Sequence, residues 1–160
     1  MSVGRVTASA HGFIEAPADV VWELLLDWGN FPIRGRFPGV ETVVLSGGAG
    51  SALTRTINFH GGFAVTEHLL LNDTANRRMY CRTDNNGGDW RNYLATLYVD
   101  ELAPTRCRVS IHGFCDVANE AEADKVKASI EASWASGILG GLQRCLGSPQ
   151  PDAHPDGAPR

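Results

Sequence analysis

Between residues 40 and 116 apolar residues recur with a period of two, in segments separated by SGGAG, HGG, NDTAN, DNNGGD and ELAPT. Alternation of this kind marks half-buried strands, and clusters of Gly, Asn, Asp and Pro mark the turns between them. Six strands are therefore expected, over 40–46, 51–59, 63–72, 77–84, 90–100 and 105–116. Nothing else constrains the chain as strongly: the middle of the molecule is a meander, and any helices lie outside it.

The flanks supply the helices. Residues 5–14 form one more strand, with Val6, Ala8, Ala10, Gly12 and Ile14 as its more apolar set. EAPADVVWELLLDW then opens a helix, with Pro17 suited to the first helical position and Asp19 to the positive end of the dipole. Val21, Leu24, Leu25 and Trp28 share one stripe of it. GNFPIRGRFPG is broken by Gly and Pro and allows only a loop or a short second helix. Residues 120–146 return to helical spacing, with Val126, Ile130, Ser133, Trp134, Gly137, Ile138, Gly141, Leu142 and Cys145 on one face. Gly147 and the proline two residues later stop that helix. Helices segregated from a run of strands indicate an α+β fold with an antiparallel seven-stranded sheet. One long helix cannot fill the wide interior of such a sheet, so an internal cavity is expected.

Composition narrows the partners. A single domain is expected from 160 residues, over 1–147, and the net charge of −4 argues against nucleic acid. The four cysteines have no CxxC spacing and no adjacent histidine pair, so no metal site is expected. MSVGRVTASAHG carries no apolar leader segment, which points to the cytoplasm and free thiols. No run approaches the ~20 apolar residues of a membrane span, so no stable membrane insertion is expected. Residues 148–160 hold prolines and almost nothing apolar, the composition of a disordered tail.

The phrases IEAPADVVWELLLDWGNFP, GSALTRTI, VTEHLLLND and NYLATLYV resemble the START-related SRPBCC superfamily, and within it the bacterial polyketide cyclase/dehydrase and lipid-transport proteins. The similarity runs over roughly residues 5 to 146, and the I-x-A-P-A-x-x-V-W opening is its most specific piece. The resemblance implies a helix-grip fold, in which a strongly curved antiparallel sheet wraps a long C-terminal helix and encloses an apolar cavity open at one end. It leaves function open, because the superfamily includes carriers, receptors, cyclases and other catalysts. The segment FPIRGRFPG departs from the L-P-x-W-x-P common among relatives and places Arg34 and Arg36 where the resemblance puts the cavity mouth.

The hairpin RTINFHGGFAVTEH holds the main candidate site. If His60-Gly61-Gly62 is a three-residue loop, paired residue numbers sum to 122: Ile57 faces Val65 and Arg55 faces Glu67. A two-residue loop would mix the polar and apolar faces, so register disfavours it. Two inward charges carry a large desolvation cost alone and a much smaller one as a pair. Such a pair either fixes the sheet or supplies a general base in Glu67; relatives of the resembled family often keep both residues across different activities. Tyr93 lies on one face with Ala95, Leu97 and Val99, and pairing 99 with 107 sets it opposite Gly113. A buried tyrosine hydroxyl either finds a structural partner or positions a carbonyl. Strand 77–84 is open to two readings: Met79, Cys81 and Thr83 inward, which composition favours, or Tyr80 and Arg82 inward, which the resemblance favours. His11, His60, His68 and His112 fall in turns or on polar faces, and none has the setting of a proton shuttle.

Glu67, Arg55 and Tyr93 are thus the catalytic candidates. The ligand contacts expected are Trp134 and Ile138 on the last helix and Leu69, Arg82 and Phe114 on strands; the resemblance adds Trp90 at the rim with Asn92 and Trp28, and Arg34 at the mouth. The expected function is binding of a hydrophobic or polycyclic small molecule by a monomer or homodimer. No cofactor is expected, and the most concrete form is a cyclase or dehydratase of a polyketide-like compound. Two other classes fit the same chain: a carrier or sensor of lipid or isoprenoid ligands, and a partner protein with a filled core and a flat apolar patch.

Overall fold

The computed structural model describes residues 3–48, 51–85 and 88–147; the tail expected to be disordered lies outside them. Strand β1 (Gly4–Ile14) is followed by α1 (Ala18–Leu26) and a single-turn α2 (Phe31–Arg34). Six strands follow: β2 (Val40–Gly48), β3 (Ser51–Phe59), β4 (Ala64–Asp73), β5 (Arg78–Asp84), β6 (Trp90–Ala103) and β7 (Arg106–Val117). The C-terminal segment is α3 (Ala123–Ser133), a π-helical turn at Trp134–Leu139, and α4 (Gly140–Gly147). All neighbours in the sheet are antiparallel, in the order β1-β7-β6-β5-β4-β3-β2, and the curved sheet closes around the C-terminal helix. This is the α+β helix-grip fold that the sequence implies.

Local chemistry explains the elements. Pro17, at φ −57°, immediately precedes α1 rather than opening it, and Asp19 lies in its first turn. The loop after Phe59 turns through Gly61 and Gly62, both at positive φ (94° and 87°), conformations that cost a glycine nothing. The β6–β7 hairpin is longer than ELAPT suggests. Its strands continue to Ala103 and Arg106, leaving a two-residue turn, and a bulge at Leu102 shifts the ladder. Val99 therefore faces Val109, and Ala95 rather than Tyr93 faces Gly113.

Two further bulges redirect side chains. At Leu70 the ladder slips, so Leu71 leaves the inner face it would share with Glu67 and is half exposed on the outside. At Arg91–Tyr93 it slips again, with Asn92 at φ 53°, and Trp90 turns to the same side as Tyr93. The C-terminal helix is likewise not one regular helix over 120–146. Residues 120–122 form a 3₁₀ turn capped by Asn119, whose side-chain Oδ1 accepts from the Ala121 N–H at 3.1 Å. The π turn inserts an extra residue per turn, and Leu139, off the apolar face at helical spacing, comes to rest against Gly12 of β1. The core lies between the concave face of the sheet, the inner stripe of α1 and the buried face of α3–α4. No helix among the described residues is long and apolar enough to cross a membrane.

Candidate functional site

Register assembles a polar row across the concave face. Arg55 on β3 faces Glu67 on β4, Glu67 faces Thr83 on β5, and Thr83 faces Tyr93 on β6. Four adjacent strands thus each contribute one polar side chain to a single inward line. The pair sum of 122 holds throughout the β3–β4 hairpin. Thr83, Cys81 and Met79 point inward, resolving the parity of β5 in the direction composition favours.

Arg55 is held on three sides. Its Nε donates to Glu67 Oε2 at 2.5 Å, its Nη1 donates to the carbonyl oxygen of Trp28 at 3.1 Å, and its guanidinium lies 4.5 Å from the Trp28 ring centroid. Only 7% of Arg55 is exposed, so these contacts replace the water it gave up. Trp28, expected at the rim, is instead buried at the end of α1 as the backing for this cation.

The row divides a cavity in two. On the inner side is a chamber of about 50 Å³ whose floor is Leu25, Trp28, Phe31, Met79, Leu97 and Ile111, with Cys81 and Ala95 on its sheet wall. On the outer side is a vestibule of about 310 Å³, bounded by Phe37, Phe59, Phe63 and Trp90 toward solvent and by Ser129, Ile130 and Ser133 along the helix. Arg55, Glu67, Thr83, Tyr93, Trp134 and Ile138 border both spaces and form the collar between them. The aromatic wall is continuous: Trp90 stacks on Tyr93 at 4.8 Å, and Tyr93 meets Trp134 edge-on at 6.2 Å.

Burial sets the protonation of the collar. It raises the Tyr93 phenol well above its ordinary value; the Glu67 carboxylate pushes the same way, and a hydrogen bond with Trp134 opposes them. Tyr93 therefore stays a proton donor across neutral and mildly alkaline pH. Burial, with Glu67 adding and Arg55 opposing, pushes the Cys81 thiol up to about 12. A thiol so protonated is no nucleophile. Among the described residues no group of three or more His, Cys, Asp or Glu converges as a metal-ligand set would.

The remaining expected contacts divide. Trp134, Ile138 and Trp90 line the cavity. Leu69 packs against the core in the row next to Glu67, opposite Cys81, and borders neither the chamber nor the vestibule. Arg82 lies on the convex face, exposed, with Nη2 3.8 Å from Asp84, so it is not a second cation of the cavity. Phe114 is also on the convex face, with the Arg5 guanidinium 5.3 Å from its ring centroid, because inward positions on β7 are the odd-numbered ones. Arg34 is exposed on α2 and borders a separate cleft between α1 and α4 with Glu23 and Asp27. His68 is tied outside to Thr54 and Asp84, both at 3.1 Å.

Sequence reasoning overlooked Phe37 and Phe59 at the mouth. Phe37 lies in the segment broken by Gly and Pro, where no periodicity assigns a face, whereas Phe59 shares the parity of Arg55 and Ile57 on β3, so alternation alone could have found it.

Comparison with known proteins places this architecture. Residues 4–146 match the family described as polyketide cyclase / dehydrase and lipid transport. Among curated proteins, none matches the chain in sequence. Among solved structures, XoxI from Bacillus cereus superposes with a TM-score of 0.73 at 19% identity, over 88% of this chain and 96% of that one. Zhui aromatase/cyclase from Streptomyces sp. R1128 gives 0.68 at 19% identity, over 89% and 92%. Norcoclaurine synthase from Thalictrum flavum, in complex with dopamine and hydroxybenzaldehyde, gives 0.69 at 18% identity, over 93% and 91%. Identities this low report a shared fold and nothing finer. The match over nearly all described residues goes further, and on it the chain belongs to the polyketide cyclase/dehydrase and lipid transport family.

Proposed function

We propose that the chain binds an oxygenated, largely apolar small molecule in the vestibule and closes or dehydrates a ring on it, with Glu67 as general base and Tyr93 as proton donor. The observation that carries this reading is the polar row: one carboxylate and one protonated phenol, with Arg55 and Thr83, at the throat of a cavity walled mainly by apolar and aromatic groups. A carrier needs the cavity but not two groups of opposite proton-transfer character in it. The names of two structural neighbours, an aromatase/cyclase and a synthase holding dopamine and hydroxybenzaldehyde, give the reading its chemical class.

The chemistry follows from the collar. A folded polycarbonyl chain in the vestibule would present an acidic C–H between two carbonyls to Glu67. The carboxylate takes that proton, and the resulting enolate carbon attacks a second carbonyl, forming the ring bond. Tyr93 hydrogen-bonds the carbonyl oxygen and protonates it as it becomes an alkoxide. Return of the proton from Glu67 to the Tyr93 phenolate resets both groups. Glu67 then takes a second α-proton while Tyr93 protonates the departing hydroxyl, which leaves as water with formation of a double bond, and the same proton return completes the cycle. Arg55 is given the positioning role: it holds Oε2 of Glu67 and keeps the carboxylate aimed. The aromatic walls exclude water and hold the reacting carbons together.

The test is turnover of a ligand identified from the purified protein. Glu67→Gln is expected to lower kcat about 10²- to 10⁴-fold, the span of general base catalysis, while binding persists. Tyr93→Phe is expected to lower it by a smaller factor. Unchanged turnover in Glu67→Gln would sink the proposal and leave the carrier reading.

A further inference from the structure

We infer that the inner chamber is a subsite for a short alkyl group, so that the ligand is a one- or two-ring oxygenated molecule bearing two or three saturated carbons beside its oxygen. This rests on the reading of the cavity as a ligand site and sharpens which ligands it admits.

Size is the first argument. A water-sized group occupies roughly 30 Å³ in the liquid. By that measure the vestibule's 310 Å³ holds about ten such groups, a bicyclic skeleton, and the chamber's 50 Å³ holds about two. The two spaces share the six collar residues as their common border, so a group in the chamber is attached across the collar to a body that stays in the vestibule. At about 50 Å³ the chamber falls well short of the roughly 150 Å³ cavity that takes a benzene, so no further ring enters it.

Chemistry is the second. Beyond the collar the floor is Met79, Leu97, Ile111, Leu25, Trp28 and Phe31, and the thiol of Cys81 is held protonated. Of the floor's side chains only the Trp28 indole carries a hydrogen-bonding group, a single N–H donor, and none accepts strongly. A hydroxyl pushed into it would have no acceptor for its proton, whereas methylene groups gain by leaving water. The ligand's oxygen is therefore held at the collar, against Glu67 and Tyr93, and the carbons beyond it are saturated and few.

The experiment is a binding series followed by tryptophan fluorescence, with 1-naphthol and its 2-methyl, 2-ethyl, 2-propyl and 2-pentyl derivatives as probes. Affinity is expected to rise about fourfold per carbon through ethyl or propyl, the worth of a buried methylene, and to fall at pentyl. In Ala95→Val, which fills the chamber, the ratio of ethyl to parent affinity is expected to drop to about one. Met79→Ala, which enlarges it, is expected to move the optimum to longer chains. Each ratio is taken within one variant, so a general loss of stability does not mimic the result. Parent naphthol bound with no dependence on chain length, or an ethyl gain that survives Ala95→Val, would overturn the subsite alone. Failure of the wild type to bind any member would overturn the cavity reading beneath it.

Discussion

Arg55 shows what it takes to keep a cation inside a sheet. Its guanidinium is planar and carries donors in fixed directions, so one group can serve Glu67, the Trp28 carbonyl and the Trp28 ring together. Lysine has the charge but not the plane. Arg55→Lys is expected to destabilise the protein by about 1–3 kcal/mol through the lost hydrogen bonds and stacking, as read by urea denaturation. The thiol of Cys81 makes a second prediction. Its value rises from 9.0 to about 12 on folding, so the folded state holds the proton that the unfolded chain gives up above pH 9. The contribution is complete below pH 9 and is lost as pH climbs toward 12. Tyr93 shifts in the same direction. The urea midpoint is therefore expected to fall with rising pH above 9, and to fall less steeply in Cys81→Ala. At this scale the sequence was readable where pairing could be counted: the hairpin's own alternation placed Arg55 against Glu67. Thr83 was not, because β5 carries apolar and polar residues in both parities and its partner strands decide between them.

The elements owe their functional shape to irregularities that no period describes. The slip at Leu70 sends Leu71 outward, and the slip at Asn92 brings Trp90 inward beside Tyr93. Counting by twos fails across both, and the two-residue turn after Ala103 displaced Tyr93 from the partner assigned to it. Phe114 and Arg82 reach the convex face by plain alternation; the resemblance, not the pattern, had drawn Arg82 inward. The π turn works similarly in the helix, holding Trp134 over the sheet and swinging Leu139 onto Gly12. Close packing continues beyond it. A Cβ on Gly141 would lie 2.6 Å from the Phe37 ring, and Arg144 donates to the carbonyl oxygens of Gly35 and Ser136 at 2.5 and 2.7 Å. Gly141→Ala must displace Phe37 from the mouth. It is expected to cost about 1–3 kcal/mol as an overpacked contact, measured by urea denaturation, and to speed ligand release in stopped-flow fluorescence.

For the whole molecule, the division of faces matters most. The concave side carries the polar row inside apolar walls; the convex side carries ion pairs such as Arg78 with Asp100 at 2.8 Å. An α+β meander with an internal cavity was legible from the order of elements, because one long helix against seven strands leaves space that short side chains do not fill; the helix-grip arrangement itself was implied by the resemblance. The extent of that space was not legible, since it depends on which small residues face the interior and on the collar of Tyr93 and Trp134. Three of the four tryptophans, Trp28, Trp90 and Trp134, border the cavity. An aromatic ligand is accordingly expected to change most of the intrinsic fluorescence on binding. The central claim is that Glu67 performs proton chemistry on a ligand held in this cavity. Native mass spectrometry of wild type and Glu67→Gln, each purified from the protein's own source, tests it most directly. The account predicts that the variant carries a precursor heavier, by the elements of water, than the species held by wild type. The same ligand, unchanged in both, would contradict it.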